Sequence, residues 1–132
     1  MDDQRQQIFQ RVKSLLSAYQ PPLAVKLDNE KRFELWSYGD FVVEGKKRKE
    51  IFFASAIIQK SYVGFYFMPV YTDVDIKQVF GDDLLRLLKG KSCFHLKQWD
   101  EALRRQIEEA LKMGYQLYLQ KGWIVEKKSH AG

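Results

Sequence analysis

The stretch Ile51-Phe52-Phe53-Ala54-Ser55-Ala56-Ile57-Ile58-Gln59-Lys60, continued by Ser61-Tyr62-Val63-Gly64-Phe65-Tyr66-Phe67-Met68-Pro69-Val70, decides how this chain folds. Both halves are rich in aromatic and β-branched residues, which suit a pleated, half-buried surface. The first is apolar on both of its alternating faces: Ile51, Phe53 and Ile57 fall on one, Phe52, Ala54, Ala56 and Ile58 on the other. Gln59-Lys60-Ser61 is the break between the halves. So short a connection joins antiparallel neighbours, because a parallel crossover needs a dozen residues or more. The two runs are therefore expected to be central strands, covered on at least one side by helices.

Those helices are legible at both ends of the chain. Over residues 3–19, Ile8, Phe9, Val12, Leu15, Leu16 and Tyr19 recur at helical spacing among polar positions. Pro21-Pro22 then stops the helix. Over residues 100–121, Leu103, Ile107, Ala110, Leu111, Gly114 and Tyr118 form a stripe behind an N-cap at Asp100. Arg104–Glu108, Arg105–Glu109 and Glu108–Lys112 are spaced to pair on the wet side. Gly122 ends this helix, Trp123-Ile124-Val125 is placed to dock, and 126–132 reads as a polar tail.

The remaining segments follow from turn and cap signals. Leu23, Val25 and Leu27 alternate with Ala24, Lys26 and Asp28, and Phe33, Leu35 and Trp36 lead into a turn at Tyr38-Gly39-Asp40. Phe41 to Val43 precedes a polar loop, Glu44-Gly45-Lys46-Lys47-Arg48-Lys49, expected to be a solvated hairpin tip. After Pro69, Thr72 or Asp73 can cap a short helix ending at Gly81. Asp82 can cap a second over 83–89, with Leu84, Leu85, Leu87 and Leu88 inward and Gly90 just past its end. Ser92–Lys97 reads as a last short strand. The fold class is thus α+β: one domain over 1–132, core about 3–125, an antiparallel sheet covered by an N-terminal and a long C-terminal helix.

Composition agrees. Of 132 residues, 45% are hydrophobic and 14% aromatic, enough large rings for a chain this short to build a core. The formal net charge of +5 permits nucleic acid, anionic membrane or acidic ligands as partners, and is also what solubility alone asks for. The one cysteine, Cys93, excludes an intramolecular disulfide and suits a reducing compartment. The start Met1-Asp2-Asp3-Gln4-Arg5 is unlike a signal peptide, and no apolar run approaches the roughly 20 residues that span a bilayer. A cytoplasmic protein with no membrane partner is expected, as monomer or homodimer.

The chemistry on offer is sparse. Cys93 and His95 share one face of a strand, which starts a metal site or a thiol–imidazole pair but supplies only two groups. The simpler expectation is a half-buried thiol and a hydrogen-bonded histidine; His130 lies far off in the tail. Gly90-Lys91-Ser92 mimics the end of a phosphate loop but leaves a helix for a strand, the reverse of the order that aims a helix dipole at phosphate. What stands out is the run of cations Arg86, Lys89, Lys91 and Lys97, with no acidic residue between Leu84 and Trp99. Projected to one side, they would hold a phosphate, a carboxylate or a nucleic-acid backbone. Tyr62, Tyr66 and Tyr71 either pack against the helices or offer stacking surfaces beside these cations.

The segment from Lys60 to Tyr71, followed by Leu84-Leu85 and Leu88-Lys89-Gly90-Lys91-Ser92-Cys93-Phe94-His95, resembles the YdhG-like family, a bacterial domain of unknown function. The resemblance spans about residues 48–123 and implies a compact helix-covered antiparallel sheet. It carries no catalytic motif, and some relatives are described as frataxin-like iron chaperones, which would make iron a cargo. That role calls for an acidic ridge; here Asp2, Asp3, Asp82, Asp83, Glu101, Glu108 and Glu109 are interleaved with Arg104, Arg105 and Lys112. The expected function is non-enzymatic binding of a small anionic ligand or a macromolecular partner, with no cofactor. The candidate residues are Tyr62, Tyr66, Tyr71, Arg86, Lys89, Lys91, Cys93, His95 and Lys97. The alternatives are iron delivery and a thiol-dependent enzyme using Cys93.

Overall fold

The computed structural model describes residues 3–126; Met1, Asp2 and the tail 127–132, with His130, lie outside the described residues. The element order is α1 (Asp3–Ser17), β1 (Ala24–Asp28), β2 (Arg32–Val43), β3 (Lys46–Ile58), β4 (Val63–Phe67), α2 (Pro69–Thr72), a 3₁₀ turn (Val74–Val79), α3 (Asp82–Arg86), β5 (Leu88–Lys89), β6 (Cys93–Leu96) and α4 (Glu101–Gln120). The six strands form one antiparallel sheet in the order β1-β2-β3-β4-β6-β5. The α+β architecture expected from the sequence is the architecture observed.

The strand pairings sort every side chain to one of two faces. Phe33, Ala56, Phe65 and Phe94 are cross-strand partners in turn, as are Leu35, Ala54 and Phe67, and all are buried on the helix-covered face. Leu35 pairs with Ala54 and Trp36 with Phe52, so β3 carries one extra residue, Phe53. Such a bulge bends the strand and re-aims its side chain. Phe53 joins the covered face, edge-on to Phe67 at 5.8 Å and to Tyr118 at 5.3 Å between ring centroids. The small residues Ala54 and Ala56 let α1 approach β3, bringing Ile8, Phe9, Val12 and Leu16 into the core.

Helix α4 completes the cover. Asp100 accepts from the Leu103 amide at 2.8 Å, the expected N-cap, and the whole predicted stripe is buried. Arg104 bridges Glu108 and also reaches back to Glu101. The Tyr118 hydroxyl, its pKa raised by burial, donates to the Phe52 carbonyl at 2.7 Å. Gly122, at φ +77°, turns the chain out of the helix, as a residue lacking Cβ does at no steric cost. Trp123 and Ile124 then dock under β2: the Ser37 hydroxyl donates to the Trp123 carbonyl and the Trp123 indole to the Val42 carbonyl. Val125 is exposed rather than docked.

Three segments depart from the sequence expectation. Tyr38-Gly39-Asp40 is no turn but an irregularity inside β2, where the Phe41 ring folds over Gly39; a Cβ there would meet Phe41 Cζ at 2.8 Å. The turn lies only at Glu44 and Gly45, at φ +51° and +78°. Two positive φ values match the twist of a two-residue hairpin, so Lys46 to Lys49 belong to β3 and not to a loop. Finally, the helix expected over 83–89 ends at Arg86. The Leu87 carbonyl accepts the His95 amide at 2.9 Å, and Leu88 and Lys89 pair with Phe94 and Cys93 as a sheet edge. Gly90 therefore serves the β5–β6 turn, at φ +71°, and not a helix end. At the other end of α3, Asp82 is not the cap. Gly81 takes that place, the Leu84 amide donates to Gln106 of α4 at 2.9 Å, and Leu85, expected inward, is exposed.

At Gly114 the α4 backbone lies close against Phe67 of β4. A Cβ there would stand 2.4 Å from Phe67 Cζ and 2.8 Å from Pro69 Cγ, and both neighbours are buried. Alanine in place of glycine favours a helix interior by about 1 kcal/mol, but overpacking a filled core costs about 1–3 kcal/mol. With an overlap this deep the second effect wins. Gly114→Ala is expected to lower the thermal midpoint by several degrees in calorimetry; an unchanged or higher midpoint would show that α4 is free to move off β4.

Candidate anion-binding cleft

The site residues are positioned by the pleat of β4 and β6. Phe94 and Leu96 point inward and are buried, which forces Cys93 and His95 to the opposite, open face. Cys93 pairs with Tyr66 and with Lys89, and His95 pairs with Gly64. Gly64 leaves its place on the open face bare, and the Tyr66 ring lies across it: a Cβ on Gly64 would meet Tyr66 Cε1 at 2.7 Å. The Tyr66 hydroxyl accepts from the Gln59 side-chain amide at 3.1 Å and shares a hydrogen bond with the Cys93 thiol. The Tyr62 ring stacks on His95 at 3.8 Å, with 11° between the planes. The reading in which these tyrosines pack against the long helices is thereby corrected. Tyr62 and Tyr66 are half-buried on the face away from the helices, and Tyr71 is 51% exposed.

Along the outer edge of the sheet, β5, β6, α3 and the start of α4 enclose a cleft of about 460 Å³. Leu87 and Leu103 give it an apolar wall; Arg86, Lys89, Lys97, His95 and Gln98 supply its polar groups. Asp83 and Asp100 also border it, but both are engaged. Asp83 accepts from Arg86 at 2.6 Å and from Gln106 at 3.1 Å, while Asp100 caps α4. Lys89 and Lys97 make no ion pair among the described residues. They act instead on His95, whose pKa is lowered first by desolvation and then by these two ammonium groups. An apolar wall with a few convergent, unneutralised charges is the usual make-up of a small-ligand site.

Four of the nine expected residues thus share the cleft: Arg86, Lys89, His95 and Lys97. Tyr62 braces His95 at its border. Cys93 and Tyr66 form the next cross-strand pair, and Lys91 is carried away by the Gly90 turn to sit 5.4 Å from the Tyr71 ring centroid. Leu87 and Leu103 were not anticipated, because apolar residues at helical spacing read as core. Two other hollows of comparable size gather no such set of cations: one of about 540 Å³ is lined by Pro21, Pro22, Tyr38, Val125 and Glu126, and one of about 330 Å³ runs along α1. Among the described residues no group of three or more His, Cys, Asp or Glu side chains comes together.

Two predictions follow from the tuning of the open face. Burial pushes the Cys93 thiol up, and the Tyr66 hydrogen bond only partly offsets it. Since the thiolate is the nucleophile, Cys93 should react with iodoacetamide at pH 7 several-fold more slowly than in the urea-unfolded chain; an equal or faster rate would refute the shift. For His95 the folded pKa lies below the ordinary 6.5, so its contribution to stability is intact above pH 6.5. It is lost as the pH falls through the lower native value, where the unfolded chain binds the proton more tightly. Denaturant unfolding should show stability rising with pH in that window, and His95→Gln should flatten the rise.

The chain matches no family model, no curated protein and no solved structure.

Proposed function

We propose that this protein is a non-enzymatic, intracellular binding domain whose cleft between β5, β6 and α4 takes a small organic anion. The observation that carries the reading is the convergence of Lys89, Lys97, Arg86 and His95 on one apolar-walled cleft, with both lysines unpaired among the described residues. An anion placed between the ammonium groups would replace their mutual repulsion with charge-assisted hydrogen bonds, each about 1.5–3 kcal/mol. Leu87 and Leu103 favour a ligand with an apolar body attached to its phosphate or carboxylate. The raised thiol pKa of Cys93 weighs against a thiol-dependent reaction. No described helix is long and apolar enough to cross a membrane, which accords with a ligand met in solution.

Pyrophosphate titrated into the ¹⁵N-labelled protein is expected to give saturable amide shifts at Leu87–Lys89 and His95–Gln98, weakening as salt rises. Bound anion should also raise the depressed His95 pKa, read from the imidazole protons. The double variant Lys89→Glu with Lys97→Glu, both exposed positions, should weaken binding by at least about tenfold. Shifts spread evenly over every lysine-bearing surface, or an unmoved His95 pKa, would overturn the assignment. A footprint that instead runs through Tyr66 to Tyr71 and Lys91, and only with an oligonucleotide, would replace the small anion with a nucleic-acid strand.

A further inference from the structure

The ladder between β3 and β4 begins at Ala54 and Phe67. From there back to its start, β3 has a strand on one side only: Lys46 to Phe52 pair with β2 and, among the described residues, with no other strand. The carbonyls nearest the end of the ladder are already used, Phe53 by the Met68 amide at 3.0 Å and Phe52 by the Tyr118 hydroxyl. From Ile51 to the hairpin turn no backbone hydrogen bond other than those to β2 reaches the edge among the described residues.

A hollow of about 380 Å³ opens on this edge, walled by Trp36, Phe52, Met68, Tyr71 and Trp123, with Glu44, Arg48 and Glu50 as its charged lining. Lysines on an exposed strand edge ordinarily repel a neighbouring copy, and Lys46, Lys47, Arg48 and Lys49 would do that against a second copy of this chain. The same charges attract a strand of opposite sign. Lys46, Lys47 and Arg48 make no ion pair among the described residues. Lys49 meets Asp40 with both side chains 85% exposed, a contact screened by water. The one carboxylate within the edge, Glu50, is held by Lys26 at 3.0 Å. An edge with free backbone groups and a side-chain receptacle beside it are the two parts of recognition by strand addition, and the positive charge along the edge favours an acidic strand.

We propose that the β3 edge from Lys46 to Ile51 binds an extended acidic peptide, which adds to the sheet as a further strand and places one apolar side chain in the hollow. Backbone hydrogen bonds hold the peptide, its carboxylates face the basic side chains that share their side of the sheet, and the hollow selects the apolar residue. This surface is separate from the cleft, which lies beyond β4 in the sheet.

The test uses a capped heptapeptide alternating glutamate with leucine, followed by the fluorescence of the chain's tryptophans and by amide shifts. Saturable binding with shifts confined to Lys46–Phe52 and the hollow is expected. Two N-methylated versions separate strand addition from a merely electrostatic contact. Methylating alternate amides on one edge of the peptide should weaken binding at least about tenfold, and methylating the other edge should leave it nearly intact. Lys47→Glu with Arg48→Glu, both on the exposed ribbon, should reverse the preference toward a lysine–leucine peptide while leaving the pyrophosphate titration unchanged. Equal binding of the two methylated peptides, no saturation at millimolar peptide, shifts centred on His95, or self-association through residues 46–51 would each overturn the proposal.

Discussion

A side chain in a strand faces one way or the other, and β4 and β6 leave no freedom in the choice. Val63, Phe65 and Phe67, with Phe94 and Leu96, must all face the helices, because together they make the centre of the core. Moving either strand by one residue would turn that whole set to water and bury Tyr66 and His95 in its place. Everything on the open face inherits its position from this constraint. The stack of Tyr62 on His95, the Tyr66–Cys93 pair and the aim of Lys89 are consequences of where the phenylalanines have to go.

The sequence was most legible where one signal had no competitor. The paired strands around Gln59-Lys60-Ser61, the buried stripe of α4 and the Asp100 cap are each set by local pattern, and each stands as read. Misreadings fell where tertiary contact decides between two locally sound options. Tyr38-Gly39-Asp40 has turn chemistry, yet β3 runs alongside it and the Phe41 ring claims the space over Gly39. Leu87-Leu88-Lys89 has helix chemistry, but β6 offers it hydrogen bonds at a sheet edge. Asp82 looks like a cap only while Gln106, twenty-odd positions onward, is out of view.

For the site, the cations could be read and their grouping could not. Lys89, Lys91 and Lys97 look equivalent along the chain. One positive-φ glycine at the β5–β6 turn sends Lys91 toward Tyr71 and leaves the other two facing His95. The apolar wall was hidden for a different reason: Leu87 and Leu103 have the same spacing whether they line a core or a cleft. The basic tetrad from Lys46 to Lys49 shows the same limit. Its charge is plain in the sequence, but that these residues form a strand edge with no second strand beside it among the described residues depends on where β4 stops.

The last helix joins the two regions in a way neither displays alone. Its N-terminal turn, through Asp100 and Leu103, borders the cleft; its far end, through Tyr118 and the Trp123 that follows, borders the hollow beside β3. At 20 residues it is about 30 Å long. Between those ends Gly114 holds it hard against Phe67 and Pro69. Those contacts fix the middle of a single rigid element whose first turn borders the cleft and whose far end borders the sheet edge.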